Sequence, residues 1–226
     1  MSEVKRESHT NQAYQRLRAD IVACRHEPGR KLVISDLVAQ MGYSLGAVRE
    51  ALSRLTSDGL VVAETNKGFH VAPITQEELE DLARTRSLIE TECLLDAIDH
   101  GDVKWEAGIV SSLFELSRTP QLADGQVNEA WADAHAQFHR ALVAACTSPT
   151  MLRIREALYS QSERHRRASQ PAGRQTARDV GAEHQAIADA AIARDKAAAA
   201  DAMRRHLKLT ARILVEAGIA RDAVNA

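Results

Sequence analysis

No stretch of this 226-residue sequence stays apolar for the roughly 20 residues that cross a bilayer. A membrane-spanning helix is therefore excluded. The opening MSEVKRESHT has no apolar core, so no secretory leader is expected. Aromatic residues make up only 4% of the chain while alanine is abundant, which disfavours a β-sandwich and favours packed helices. Cysteine is scarce: Cys24, Cys93 and Cys146 stand without paired spacing, so a disulfide framework is not expected and a reducing cytoplasm fits. Excess charge is lacking too. The net charge of −2 rules out a strongly basic nucleic-acid coat but not a local DNA-binding face. Residues 1–74 hold ten Lys/Arg against eight Asp/Glu, and the remainder nineteen against twenty-three, so what asymmetry exists places the positive end first.

What the chain does contain begins with three short helices and a hairpin. Tyr14, Leu17 and Ile21 recur at helical spacing between Asn11 and Cys24, and Pro28-Gly29 makes a turn. Ser35 is expected to cap a second helix that Gly42 stops. Ser44 is expected to cap a third, with Val48, Ala51, Leu52 and Leu55 inside. Leu60 to Ala63 and Phe69 to Ala72 read as strands around the turn Thr65-Asn66-Lys67-Gly68. Two helices joined by about four residues, then a hairpin, form the winged helix-turn-helix plan. Burying Val48 and Leu52 leaves Ser44, Leu45, Gly46, Arg49 and Ser53 to a major groove. The helix N-terminus offers N–H groups to a phosphate and Arg49 a forked donor. Lys67 and Gly68 sit at the wing tip, where Lys67 would meet phosphate or the minor groove. An ordinary solvated face on a small helical domain is the competing reading.

After Pro73, Thr75 and Glu78 form a capping box, and the rest reads as helices near 76–100, 103–117, 127–146, 149–168, 177–193 and 196–217. Breaks fall at Gly101, Pro120, Gly125, Pro149, Pro171, Gly173 and Asp195. The expected fold is mainly α, with a winged helix-turn-helix over residues 8–74 and an all-α bundle over 75–220.

These residues carry a resemblance. The stretch Tyr14 to Ile21, Pro28-Gly29, Val48 to Leu52, Asp58 to Val61 and Gly68 resemble the GntR family of bacterial transcription regulators. Arg86 to Glu90, Phe138 to Leu142, Glu183 to Ile187 and His206-Leu207 are similar to the FCD effector domain of its FadR subfamily. The resemblance implies a homodimer on a pseudo-palindromic, double-stranded operator, most simply a repressor, switched by a small organic acid. Family members commonly carry Arg where Leu45 stands and Thr-Pro where Gly46-Ala47 stands. That leaves Arg49 as the one clear groove-facing arginine of the recognition helix.

His135 and His139 lie four apart on a face shared with Trp131, Phe138 and Leu142. His184 lies eleven residues before Asp195 and His206 eleven after it. In an antiparallel helical hairpin turning at Asp195, equal distance from the turn means equal height, so the two rings can meet the first pair. Single buried histidines usually hydrogen-bond to neighbours, but four converging imidazoles in an apolar bundle are a metal site by chemistry. The resemblance supports this: many FCD domains bind a divalent cation through Asp-x-x-x-His and two further histidines, and here His135 stands in the Asp position. An all-nitrogen set suits zinc, nickel or another borderline ion rather than magnesium or calcium.

Arg86 and Glu90 interrupt the inner stripe of Leu79, Leu82, Ile89, Cys93 and Ala97. One account is an internal ion pair at i, i+4. The other is a carboxylate effector gripped between Arg86 and the metal, with Ser162 and His165 adding polar contacts. Arg164 is a weaker candidate, and Arg166 and Arg167 are assigned to a solvated face. Two other functions are weighed. A metal-dependent hydrolase is disfavoured because four histidines close the coordination sphere and Glu183 points about 100° away from His184. A metal sensor, with the cation itself as signal, is the remaining alternative.

Overall fold

The structure, a computed structural model, describes residues 8–123, 126–168 and 178–216. Gly125, Pro171 and Gly173, and the expected limits at 177, 217 and 220, lie outside the described residues. No described helix is long and apolar enough to cross a membrane.

The first unit is α1 (His9–Val22), β1 (Lys31–Leu32), α2 (Ile34–Met41), α3 (Leu45–Ser57), β2 (Val61–Glu64) and β3 (Gly68–Val71). Ser8 and Ser44 cap α1 and α3 by accepting from the Asn11 and Ala47 amides. Ser35 does not cap α2. That helix begins one residue before it, with Val33 at the cap, and the Ser35 hydroxyl turns to Asp36 instead. Gly42 ends α2 in the left-handed conformation at φ 75°. The two-residue β1 completes a sheet of order β1-β3-β2; it is too short for its alternation to show in the sequence. Leu17, Ile21, Leu37, Val48, Leu52, Leu55, Leu60 and Val71 make this unit's buried core.

The second unit contains α4 (Gln76–His100), α5 (Val103–Arg118), a short hairpin of β4 (Leu122–Ala123) and β5 (Gln126–Val127), α6 (Glu129–Leu142), α7 (Pro149–Ala168), α8 (Val180–Ile192) and α9 (Lys196–Glu216). The capping box at Thr75 and Glu78 starts α4. Asp195 accepts from the Ala198 amide at the α8–α9 turn. The β4–β5 hairpin and the Asn128 cap delay α6 to Glu129, and Val143 closes it, so it is shorter than the expected 127–146. Phe138, Leu142, Ile187, Ala191 and Met203 fill the bundle core. The Cys93 and Cys146 thiols meet there, and burial pushes that of Cys93 up to about 12.

One helix ties the units together. Along α7, Gln161 donates to the Asp58 carbonyl at 2.7 Å, and Arg18 reaches back from α1 to Ser160 and Glu156. The approach is close: a Cβ on Gly59, itself at φ 71°, would lie 2.7 Å from Gln161 Nε2.

Candidate functional site

The histidine register works out in three dimensions. His135 and His139 on α6, His184 on α8 and His206 on α9 each offer a nitrogen, and these atoms lie within 4.8 Å of one another. Ring centroids are 4.6 Å apart for His135 and His139 and 4.8 Å for His184 and His206. All four rings are buried. Burial drives His135 and His139 well below the ordinary imidazole range and lowers His184 to about 3, helped by the neighbouring rings. Burial also lowers His206, against the pull of the Glu183 carboxylate. Neutral imidazoles keep the lone pairs a cation needs.

Two rings have a hydrogen bond that fixes their orientation. His135 Nδ1 lies 3.0 Å from the Tyr159 hydroxyl, and Trp131 stacks on the same ring with centroids 4.8 Å apart. His206 Nδ1 donates to Glu183 at 2.8 Å. Burial works against the Glu183 carboxylate, yet the hydrogen bonds from Arg178 and His206 hold it down at about 2. The sequence reading set Glu183 aside because it points away from His184. It does, and so it meets the ring on the next helix. Among the described residues, both ring nitrogens of His139 and Nε2 of His184 are buried with no hydrogen-bond partner. A buried unpaired polar atom costs about 1–3 kcal/mol. These orphaned nitrogens, in an all-imidazole set, fit a borderline divalent cation.

Arg86, Ser162 and His165 come together as well. They line a cavity of about 20 Å³ between α4, α7 and α9, with Leu79, Leu207 and Leu214 among its walls. That volume suits a single water rather than an organic acid. Arg86 donates to Glu90 at 3.1 Å and to Ser162 Oγ at 2.8 Å, while its Nη2 is buried without a partner. The internal ion pair is thus present, and one donor remains over. Glu90 also accepts from Arg155 at 2.9 Å, a second buried guanidinium that sequence reading missed because it lies on another helix. Burial, reinforced by the Arg164 charge, lowers His165 to about 3.

Three arginines differ from expectation. Arg164 is buried and donates to the Ala72 and Pro73 carbonyls, the chain that links the two units. Arg166 chelates Glu163 and lies over the Trp131 ring, and Arg167 bridges Glu163 and Glu129. Neither of these two occupies a solvated face, because Glu163 draws both inward.

In the first unit, Ser44, Gly46, Arg49 and Ser53 are exposed along one side of α3, as are Lys67 and Gly68 at the wing tip. Arg49 makes no hydrogen bond to another described residue. Lys67 is tied to Glu64 at 2.9 Å, so the wing cation arrives partly neutralised.

Comparison with known proteins agrees with both units. Residues 9–71 match the bacterial regulatory proteins of the gntR family, and residues 81–209 match the FCD domain. The chain is 40% identical over 212 residues to an uncharacterized HTH-type transcriptional regulator, BphR, of Paraburkholderia xenovorans, covering 92% of this chain and 86% of that one. It is 32% identical over 198 residues to the HTH-type transcriptional repressor GlaR of Escherichia coli, covering 86% and 90%. The solved structure of E. coli McbR superposes with a TM-score of 0.80 at 20% identity, covering 93% of this chain and 98% of that one, a likeness of fold. The winged helix-turn-helix joined to an FCD domain, and relatives that are regulators rather than enzymes, place this chain in the GntR family of bacterial transcriptional regulators, in its FadR-like FCD subfamily.

Proposed function

We propose that this regulator works in the cytoplasm as a homodimeric repressor, holding a divalent transition metal and responding to a small carboxylate bound beside it. The observation that carries the reading is the set of orphaned nitrogens on His139 and His184 inside a cage completed by His135 and His206. The four imidazoles would hold zinc or nickel, and the ion would supply a positive centre for an acid's oxygen. Arg86 offers its spare Nη2 to the carboxylate, with Ser162 and His165 alongside. The cavity holds little more than a water as it stands, so an acid would have to widen the space between α4, α7 and α9. On α7, Ser162 and His165 face this cavity while Gln161 and Arg164 grip the DNA-binding unit and its linker. That arrangement supports transmission from acid to the spacing of two recognition helices. Ser44, Gly46, Arg49 and Ser53 would enter the major groove, with Lys67 and Gly68 on the flanking backbone or minor groove.

The test combines elemental analysis of the purified protein with operator-binding titrations. About one divalent ion per chain, lost in His139→Ala, together with a carboxylate that weakens operator binding, is the expected outcome. No stoichiometric ion, or acids that bind without altering DNA affinity, would overturn the corresponding half.

One observation favours a metal-sensing variant: the four imidazoles would supply four ligands by themselves, and none of them lines the small cavity at Arg86. Chelation alone would then shift operator affinity with no organic acid present.

A further inference from the structure

Among the described residues of the first unit, three large apolar side chains are exposed: Val33 at 42%, Val62 at 37% and Leu45 at 56%. Scattered exposed apolar residues need no account. Leu45, however, is the first residue of α3, and Arg49 and Ser53 follow it at intervals of four. All three are exposed, so they form one stripe, turned away from the buried Ala47, Val48, Ala51, Leu52 and Leu55. A recognition helix meets base edges with its N-terminal residues, which puts Leu45 at the leading end of that stripe. Its neighbour Gly46 adds no bulk there. A Cβ on Gly46 would meet no atom within 4 Å, so that side of the helix end is open.

We infer, resting on the groove reading proposed above, that Leu45 is a specificity-determining residue that reads the C5-methyl group of a thymine in the operator. Leucine has no donor or acceptor, so it gains nothing from the polar edges of guanine, adenine or cytosine. The thymine methyl is the apolar feature that a base pair presents in the major groove. Pressed against another base, the side chain would strip water from a polar edge and return no hydrogen bond. Four residues of helix rise about 6 Å, close to two base-pair steps of about 3.4 Å. Leu45 and Arg49 thus reach different base pairs. A guanidinium fork matches O6 and N7 of guanine. The half-site then holds a guanine under Arg49 and a thymine within about two base pairs of it.

Selection of duplexes from a random pool by the full-length protein supplies an operator for the test. Each thymine of one half-site is then replaced in turn by deoxyuridine, which differs only in lacking the methyl group, and affinity is read by fluorescence anisotropy. At one thymine close to the guanine, wild-type affinity should fall about fourfold, the effect expected of one buried methyl group. Leu45→Ala, a change at an exposed position, should bind the thymine and deoxyuridine operators equally. If no deoxyuridine weakens wild-type binding, or if the loss persists undiminished in Leu45→Ala, Leu45 does not read the methyl. Arg49→Ala separates the two possible failures. An operator whose affinity drops in Arg49→Ala yet is blind to deoxyuridine overturns the role of Leu45 alone. A pool that yields no preferred sequence overturns the groove reading and the role of Leu45 with it.

Discussion

Glu183 accepts the Nδ1 proton of His206 across the α8–α9 interface at 2.8 Å, and thereby leaves Nε2 as that ring's lone-pair nitrogen. Arg178 clamps the same carboxylate at 2.6 Å and donates to the His206 carbonyl at 3.0 Å, so the orienting group is itself oriented. A carboxylate behind a ligating histidine fixes its tautomer and raises its basicity.

Glu183→Ala should therefore weaken metal affinity by about 10- to 100-fold while keeping all four histidines in place. Competition against a chromogenic chelator measures it. Affinity equal to the wild type would show that Glu183 has no part in holding the ring.

Glu90 is buried between two guanidiniums, Arg86 at 3.1 Å and Arg155 at 2.9 Å. Replacing it with Leu leaves two positive charges in the interior without their counterion. The loss should be about 3–5 kcal/mol in urea unfolding. Substituting Met for both arginines in the same protein should recover much of that loss, because the charges that needed compensation are gone.

Arg164 holds the carbonyls of Ala72 and Pro73 from the helix that also lines the cavity. Arg164→Lys keeps a charge but loses the planar fork that spans both carbonyls. Metal content and acid affinity should stay near the wild type. The acid's effect on operator affinity, a coupling of about 1–3 kcal/mol in typical cases, should shrink or vanish in a fluorescence anisotropy titration. Coupling that persists undiminished would place the transmission elsewhere.

Acid should destabilise the metal-free protein. Burial lowers His135, His139, His184, His206 and His165, with His184 and His165 at about 3. An unfolded imidazole titrates near 6.5. Below that pH the unfolded chain binds protons that the folded chain refuses, so unfolding is favoured as pH falls. The stability is fully present above about pH 6.5 and drains away toward the folded values. Each imidazole contributes up to about 1.4 kcal/mol per pH unit. Urea midpoints at pH 7, 6 and 5 in the presence of a chelator should fall in step, whereas midpoints that hold level would show that these rings are not buried neutral.

The helical plan was open to reading because it rests on local chemistry. The capping box at Thr75 and Glu78, the αL glycine at Gly42 and the Asp195 cap are each set by neighbours in sequence. The histidine register was equally open, since i, i+4 on α6 and symmetric distances from a turn are geometry that one chain carries by itself. Where local signals were weak, the reading slipped. Ser35 has a capping side chain but lies inside α2, and two-residue strands such as β1 and β4 leave no alternation to detect.

The sequence alone thus determined which helices form and which faces bear imidazoles, because periodicity and capping act over a few residues. Tertiary structure alone decided that Arg155 shares Glu90 across 65 positions, that Arg164 reaches Ala72 across 92, and that Glu183 serves the histidine on the neighbouring helix. Each of those side chains could have faced solvent or another partner. Helix packing chose among them by removing water, after which a buried charge or polar group keeps only the partner that packing places within reach.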